Sequence, residues 1–129
     1  MEVIRQMQEN NLFVKVVLGL EPNDADQSVH GDVELDIENQ SKFVDVINAI
    51  FSDGMFHLVV DLTYVSYIDS SGLWALFEGH KKASQKKGHL VLLNPTKDVK
   101  RVLDITKVSS KMQVFVDYDE VVSFFKSLN

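Results

Sequence analysis

Three short runs constrain this chain most: LFVKVVL at 12–18, FHLVVDL at 56–62 and HLVLLN at 89–94. Each is almost continuously apolar and bounded by turn formers, the pattern of a strand covered on both faces. After Asp36, segments with apolar residues at helical spacing alternate with them. These are Phe43, Val44, Ile47, Ile50 and Phe51; then Leu73, Leu76, Phe77 and His80; then Val99, Val102 and Leu103; finally Val121, Phe124, Phe125 and Leu128. Four amphipathic helices follow. The punctuation agrees: Asp53-Gly54 closes the first helix, Lys87-Gly88 closes the second, and Pro95 suits the opening of the third. Alternating strands and helices predict an α/β fold with a largely parallel sheet.

Ahead of Asp36 the pattern weakens. GLEPNDADQSVHGD, residues 19–32, is rich in turn formers and acids, and reads as an exposed loop or hairpin between two N-terminal strands. It is too short for a second domain. The 129 residues, 45% of them hydrophobic, are enough to fill one core, so one domain over 1–129 is expected.

Charge and chemistry narrow the function. A net charge of -6 argues against a nucleic-acid or anionic-membrane surface, both of which need concentrated basic groups. Without cysteine there is no thiolate metal site, disulfide frame or cysteine nucleophile. His30, His57, His80 and His89 show no metal-ligand spacing and read as structural or surface residues, so no metal and no cofactor are expected. Lys81, Lys82, Lys86 and Lys87 give the second helix a basic end, as its dipole favours. The opening MEVIRQMQENN lacks the character of a signal peptide, and no apolar run approaches the roughly 20 residues of a membrane span. A soluble cytoplasmic protein is expected.

The chemistry-bearing stretch is SYIDSSGLWALFEGH, residues 66–80. A turn at 63–66 and a short YI lead from the second strand into Asp69-Ser70-Ser71-Gly72, where the second helix starts. The first N–H groups of a helix lack internal partners and its dipole is positive there, so Asp69 and Ser70 both suit capping. A wheel with Leu73 as origin puts Leu76, Phe77, His80 and Ser84 toward the core. Ser71, Trp74, Ala75, Glu78 and Lys82 fall on the far side. Four readings compete: a plain cap, a hydrolase nucleophile, a phosphate-binding loop and a modified serine. The nucleophile lacks a GxSxG elbow and an adjacent base; the phosphate loop lacks its glycines and lysine. An exposed Ser71 fits modification, which adds a charge of about -1.5 to -2.

At this point the sequence resembles a known family. LVVDLTYVSYIDSSGL, followed by GHLVLLNP and VKRVLDITKV and preceded by VELDIENQSKFVDVI, is similar to the STAS domain of the anti-sigma factor antagonist type. The best-matching part is 33–129, with residues 1–32 as N-terminal strands and an unusually long loop. The resemblance implies a mixed, mostly parallel sheet of four or five strands with about four helices. It also implies a bacterial partner switch that is no enzyme. Such proteins bind an anti-sigma factor of the serine-kinase type when dephosphorylated. Phosphorylation of the serine before the glycine, here Ser71 and less well Ser70, releases it, and a serine phosphatase restores binding. Asp36, Asp69, Ser70, Ser71, Gly72, Trp74 and Glu78 are the expected contact surface, in a monomer or weak homodimer. Trp74 stands where such domains commonly carry a small residue. The alternative is a STAS module that accompanies a lipid or anion transporter, or takes a nucleotide or small ligand at the same helix edge.

Overall fold

Residues 3–8, 12–19 and 33–128 are described by the computed structural model. Along them run β1 (Val3–Gln8), β2 (Phe13–Leu18), β3 (Val33–Leu35), α1 (Gln40–Ser52), β4 (His57–Asp61), β5 (Val65–Ile68), α2 (Ser70–Gln85), β6 (His89–Leu93), α3 (Lys97–Ile105), β7 (Val114–Phe115) and α4 (Tyr118–Lys126). The main sheet has the order β1-β2-β4-β6-β7, and β3 and β5 pair separately as a two-stranded ribbon. Only β1 is antiparallel; β2, β4, β6 and β7 run parallel. The mixed, mostly parallel α/β architecture expected from the sequence is present. The 19–32 loop falls outside the described residues beyond Gly19.

The central strands β2, β4 and β6 are apolar at almost every position because both faces of the sheet are covered there. One face carries Val14, Val16, Leu18, Leu58, Val60, Leu90 and Leu92 under α1, α2 and α3. The other carries Phe13, Val59, Val91 and Leu93 under Val121 and Phe125 of α4.

Four local readings are corrected. The turn before the central motif is shorter than expected, because Val65 and Ser66 already belong to β5. At the end of α2 the left-handed residue is Lys87, with φ 62°. Gly88 is instead required sterically: a Cβ there would lie 2.0 Å from the Phe56 carbonyl oxygen. The core face of α2 is also rotated. Its buried residues are Gly72, Ala75, Leu76, Gly79 and Ala83, whereas Leu73, Phe77 and His80 are half-buried and Ser84 is exposed. A wheel that follows the largest apolar residues fails here because the helix backbone lies close to the layer beneath it. A Cβ on Gly79 would come 2.8 Å from Leu90 Cδ1, so a larger residue there would have to displace that side chain, and small residues form the contact. The fourth correction, at the serines, follows from this rotation.

Candidate functional site

Because β3 and β5 are parallel, their C-terminal ends sit side by side, and the residues that follow them meet. Asp36 follows β3 and Asp69 follows β5. The Asp69 N–H donates to the Leu35 carbonyl at 3.3 Å, closing the end of the ribbon.

Asp69 then organises two elements with one carboxylate. Its Oδ1 accepts from the Gly72 N–H at 3.0 Å, capping α2, and its Oδ2 accepts from the Ile37 N–H at 3.2 Å, tethering the loop after β3. Asp36 turns its carboxylate into that same loop: Oδ1 accepts from the N–H groups of Glu38 (3.0 Å) and Asn39 (3.3 Å). Asn39 returns the contact by accepting from the Asp36 N–H at 2.9 Å and by donating its amide to the Glu34 carbonyl. The loop from Asp36 to Asn39 is thus held locally and pinned to the start of α2. Asp69→Ala removes both acceptors at once and should cost about 2 kcal/mol in urea denaturation, more than a cap alone. Asp69→Asn, which keeps an oxygen for Gly72, should lose less.

Gly72 permits this closure. A Cβ on it would lie 2.3 Å from the Leu35 carbonyl oxygen and 2.8 Å from Ile68 Cγ1. The glycine after the serines is there because strand and helix touch, backbone on backbone.

Capping belongs to Asp69 alone; Ser70 and Ser71 are the first and second helical residues. Ser70 is exposed and Ser71 half-buried, the reverse of the expected ranking. The reason is the rotated core face: Ser71 precedes Ala75 by four residues and so flanks the buried side. Trp74 lies one turn on from the serines and is 55% exposed, on the outward side as anticipated. Glu78, half-buried, and Trp74 line a groove with Val44 and Asn48 of α1.

Sequence reasoning missed the neighbours of this end. Ile37 is 69% exposed in the Asp36 loop, and Tyr67, on the outward side of β5 opposite Glu34, is 52% exposed. Their trace in the sequence is small: an apolar residue between acids in LDIEN, and an alternating position in VSYI. Glu34 and Glu38 are exposed beside Asp36. A hydrogen bond with the Asp36 carboxyl, then desolvation and the charges of Asp36 and Glu38, hold the Glu34 carboxyl above its usual range.

The histidines lie elsewhere. His57 and His89 are register partners on β4 and β6 with rings 5.8 Å apart, against Phe125 and Phe124 of α4 respectively. Among the described residues no group of three or more His, Asp or Glu is placed to hold a metal ion. Burial lowers the pKa of His57, as does the charge of His89; burial likewise lowers that of His80, against a hydrogen bond to the Leu90 backbone. The unfolded chain therefore takes protons first as pH falls below about 6.5. Stability should be full above that value and decline below it. The urea midpoint is expected to be lower at about pH 5.5 than at about pH 7.5, and His57→Leu should narrow the difference.

With this geometry in hand, the relatives are informative. The family model for the STAS domain matches residues 23–121. The anti-sigma-B factor antagonist of Staphylococcus epidermidis is 34% identical over 82 residues, covering 63% of this chain and 75% of that one. Among solved structures, an anti-sigma-factor antagonist (STAS) domain protein from Planctomyces limnophilus superposes with a TM-score of 0.76 at 13% identity, covering 98% of this chain and 99% of the other. The phosphorylated form of the Bacillus cell fate determinant SpoIIAA gives 0.65 at 19% identity, covering 95% and 97%, and the unphosphorylated form gives the same TM-score. A chain with this fold, this family match and this relative belongs to the STAS domain family, of the anti-sigma factor antagonist type.

Proposed function

We propose that this protein is a phosphorylation-controlled partner switch. Unmodified, it binds an anti-sigma factor of the serine-kinase type; phosphorylation of Ser71 releases that partner, and a serine phosphatase restores the binding form. It acts without catalysis of its own, in the cytoplasm, as a monomer or weak homodimer, and its contact surface includes Asp36, Asp69, Ser70, Ser71, Gly72, Trp74 and Glu78.

The observation that carries this reading is the Asp69-Ser70-Ser71-Gly72 unit at the start of α2, in a chain of this family. A phosphate at the second helical position meets the positive end of the helix, where an anion is stabilised. The fold therefore tolerates the modification. A partner seated over the same position does not, because a dianion must be stripped of water to enter a contact that a neutral hydroxyl enters cheaply.

The test is incubation with the purified anti-sigma kinase and ATP, followed by residue-resolved mass spectrometry. Phosphate at Ser71 is expected; modification of Ser70 alone would move the switch by one residue, and modification of neither would overturn the reading. In parallel, Ser71→Ala should keep partner binding and Ser71→Asp should weaken it at least about tenfold.

A further inference from the structure

The end of the molecule that carries the serines is at once apolar and acidic. Ile37, Tyr67 and Trp74, three large side chains more than half exposed, surround it. Interleaved with them are Glu34, Asp36 and Glu38, close enough to raise the pKa of Glu34, and Asp69 lies behind Ile37. Lys81, Lys86 and Lys87 are exposed toward the other end of α2, about 15 Å or more along a helix of this length. Lys82 lines the groove beside Trp74 and Glu78 and is turned to Asn48 of α1 at 3.4 Å, so the carboxylates around Ile37 and Tyr67 keep their excess of negative charge. Lys42 in the opening turns of α1 is the cation nearest in sequence.

We infer that the partner meets this end with a cationic surface enclosing an apolar socket for Trp74. The inference rests on the partner-switch reading and sharpens it. Charge complementarity decides the occupant: an acidic or neutral partner would have to desolvate these carboxylates without compensation, whereas lysine or arginine groups pair with them. Tryptophan with partly covered neighbours is the usual form of an interface anchor. The carboxylates govern encounter and Trp74 governs retention.

This division changes how the switch works. Against a cationic partner, a phosphate on Ser71 adds to the long-range attraction and cannot repel the partner on approach. It acts after contact, by placing a dianion beside the Trp74 socket. Release therefore appears in the dissociation rate, with association undiminished.

The experiment is rapid-mixing kinetics of the purified anti-sigma kinase with the wild type, Trp74→Ala, Trp74→Phe, Ser71→Asp and the double variant Glu34→Gln/Glu38→Gln, at about 50 mM and about 500 mM salt. Expected are an association rate that falls at least about tenfold in high salt, and a double variant slower at low salt with a flatter salt response. Trp74→Ala should dissociate about 30-fold faster with association within about twofold, and Trp74→Phe should recover part of the loss. Ser71→Asp should dissociate faster and associate no slower. A salt-independent or salt-enhanced association, a slower association for Ser71→Asp, or a silent Trp74→Ala would each overturn the inference. No binding by the wild type, or equal binding by Ser71→Asp, would overturn the partner-switch reading instead.

Discussion

Gly72→Ala is expected to destabilise the fold by about 2–3 kcal/mol, although alanine is the better helix former by about 1 kcal/mol. Sterics decide the sign. The added methyl would lie 2.3 Å from the Leu35 carbonyl oxygen, 2.8 Å from Ile68 Cγ1 and 2.9 Å from Leu35 Cγ. The first of these atoms is backbone, and it already accepts from the Asp69 N–H, so it cannot move without loosening the end of the β3–β5 ribbon. Relief comes only by lifting the start of α2 away from β3, which breaks the Asp69 tether to Ile37. Urea denaturation measures the loss, and partner affinity should fall with it. A gain in stability of about 1 kcal/mol would show that the close approach of strand and helix is wrong.

Leu76→Ala should cost more, about 4 kcal/mol. Leu76 is fully buried, and the other buried positions of α2 are glycine or alanine: Gly72, Ala75, Gly79 and Ala83. Truncations of buried leucine lose about 2–5 kcal/mol, the upper part of the range applying where neighbours cannot close the cavity. Here the backbone of α2 already rests on the layer below, with Leu90 reaching toward Gly79, so little further collapse is available. The same substitution at Leu73, which is only half-buried, should cost clearly less. Equal losses at the two positions, measured by thermal or urea unfolding, would restore the wheel expected from the sequence.

That wheel shows where sequence reasoning stops. The three central strands were legible because burial on both faces leaves an unbroken apolar run, which few other structures produce. The helices were legible as elements, through spacing and punctuation, and the family resemblance put Asp36 and Asp69 together on one expected contact surface. β1 and β7 were not. β7 has two residues, and β1 pairs on one edge only, so neither carries a long pattern. The phase of α2 was misread because hydropathy rewards large side chains, whereas the contact selects small ones. From this error came the view of Ser71 as the open serine; the capping role given to Ser70 failed separately, because the helix already begins at Ser70 and Asp69 is its cap. Ile37 and Tyr67 were missed for another reason: their meaning depends on two strands that adjoin only in the folded ribbon.

The corrected geometry makes the proposed switch more demanding. On the proposed reading a kinase would have to reach a half-buried Ser71 at the second position of α2, and the phosphate would share that end of the molecule with Trp74, Ile37 and four carboxylates. Such a modification would be local to the proposed contact surface and electrostatically compatible with the helix that bears it.

The most direct test is the affinity of the anti-sigma factor for this protein carrying phosphoserine at position 71, installed during synthesis, against the unmodified chain. The partner-switch account predicts a loss of about 100-fold or more, with the fold unchanged by circular dichroism. Equal affinity of the two forms would contradict it.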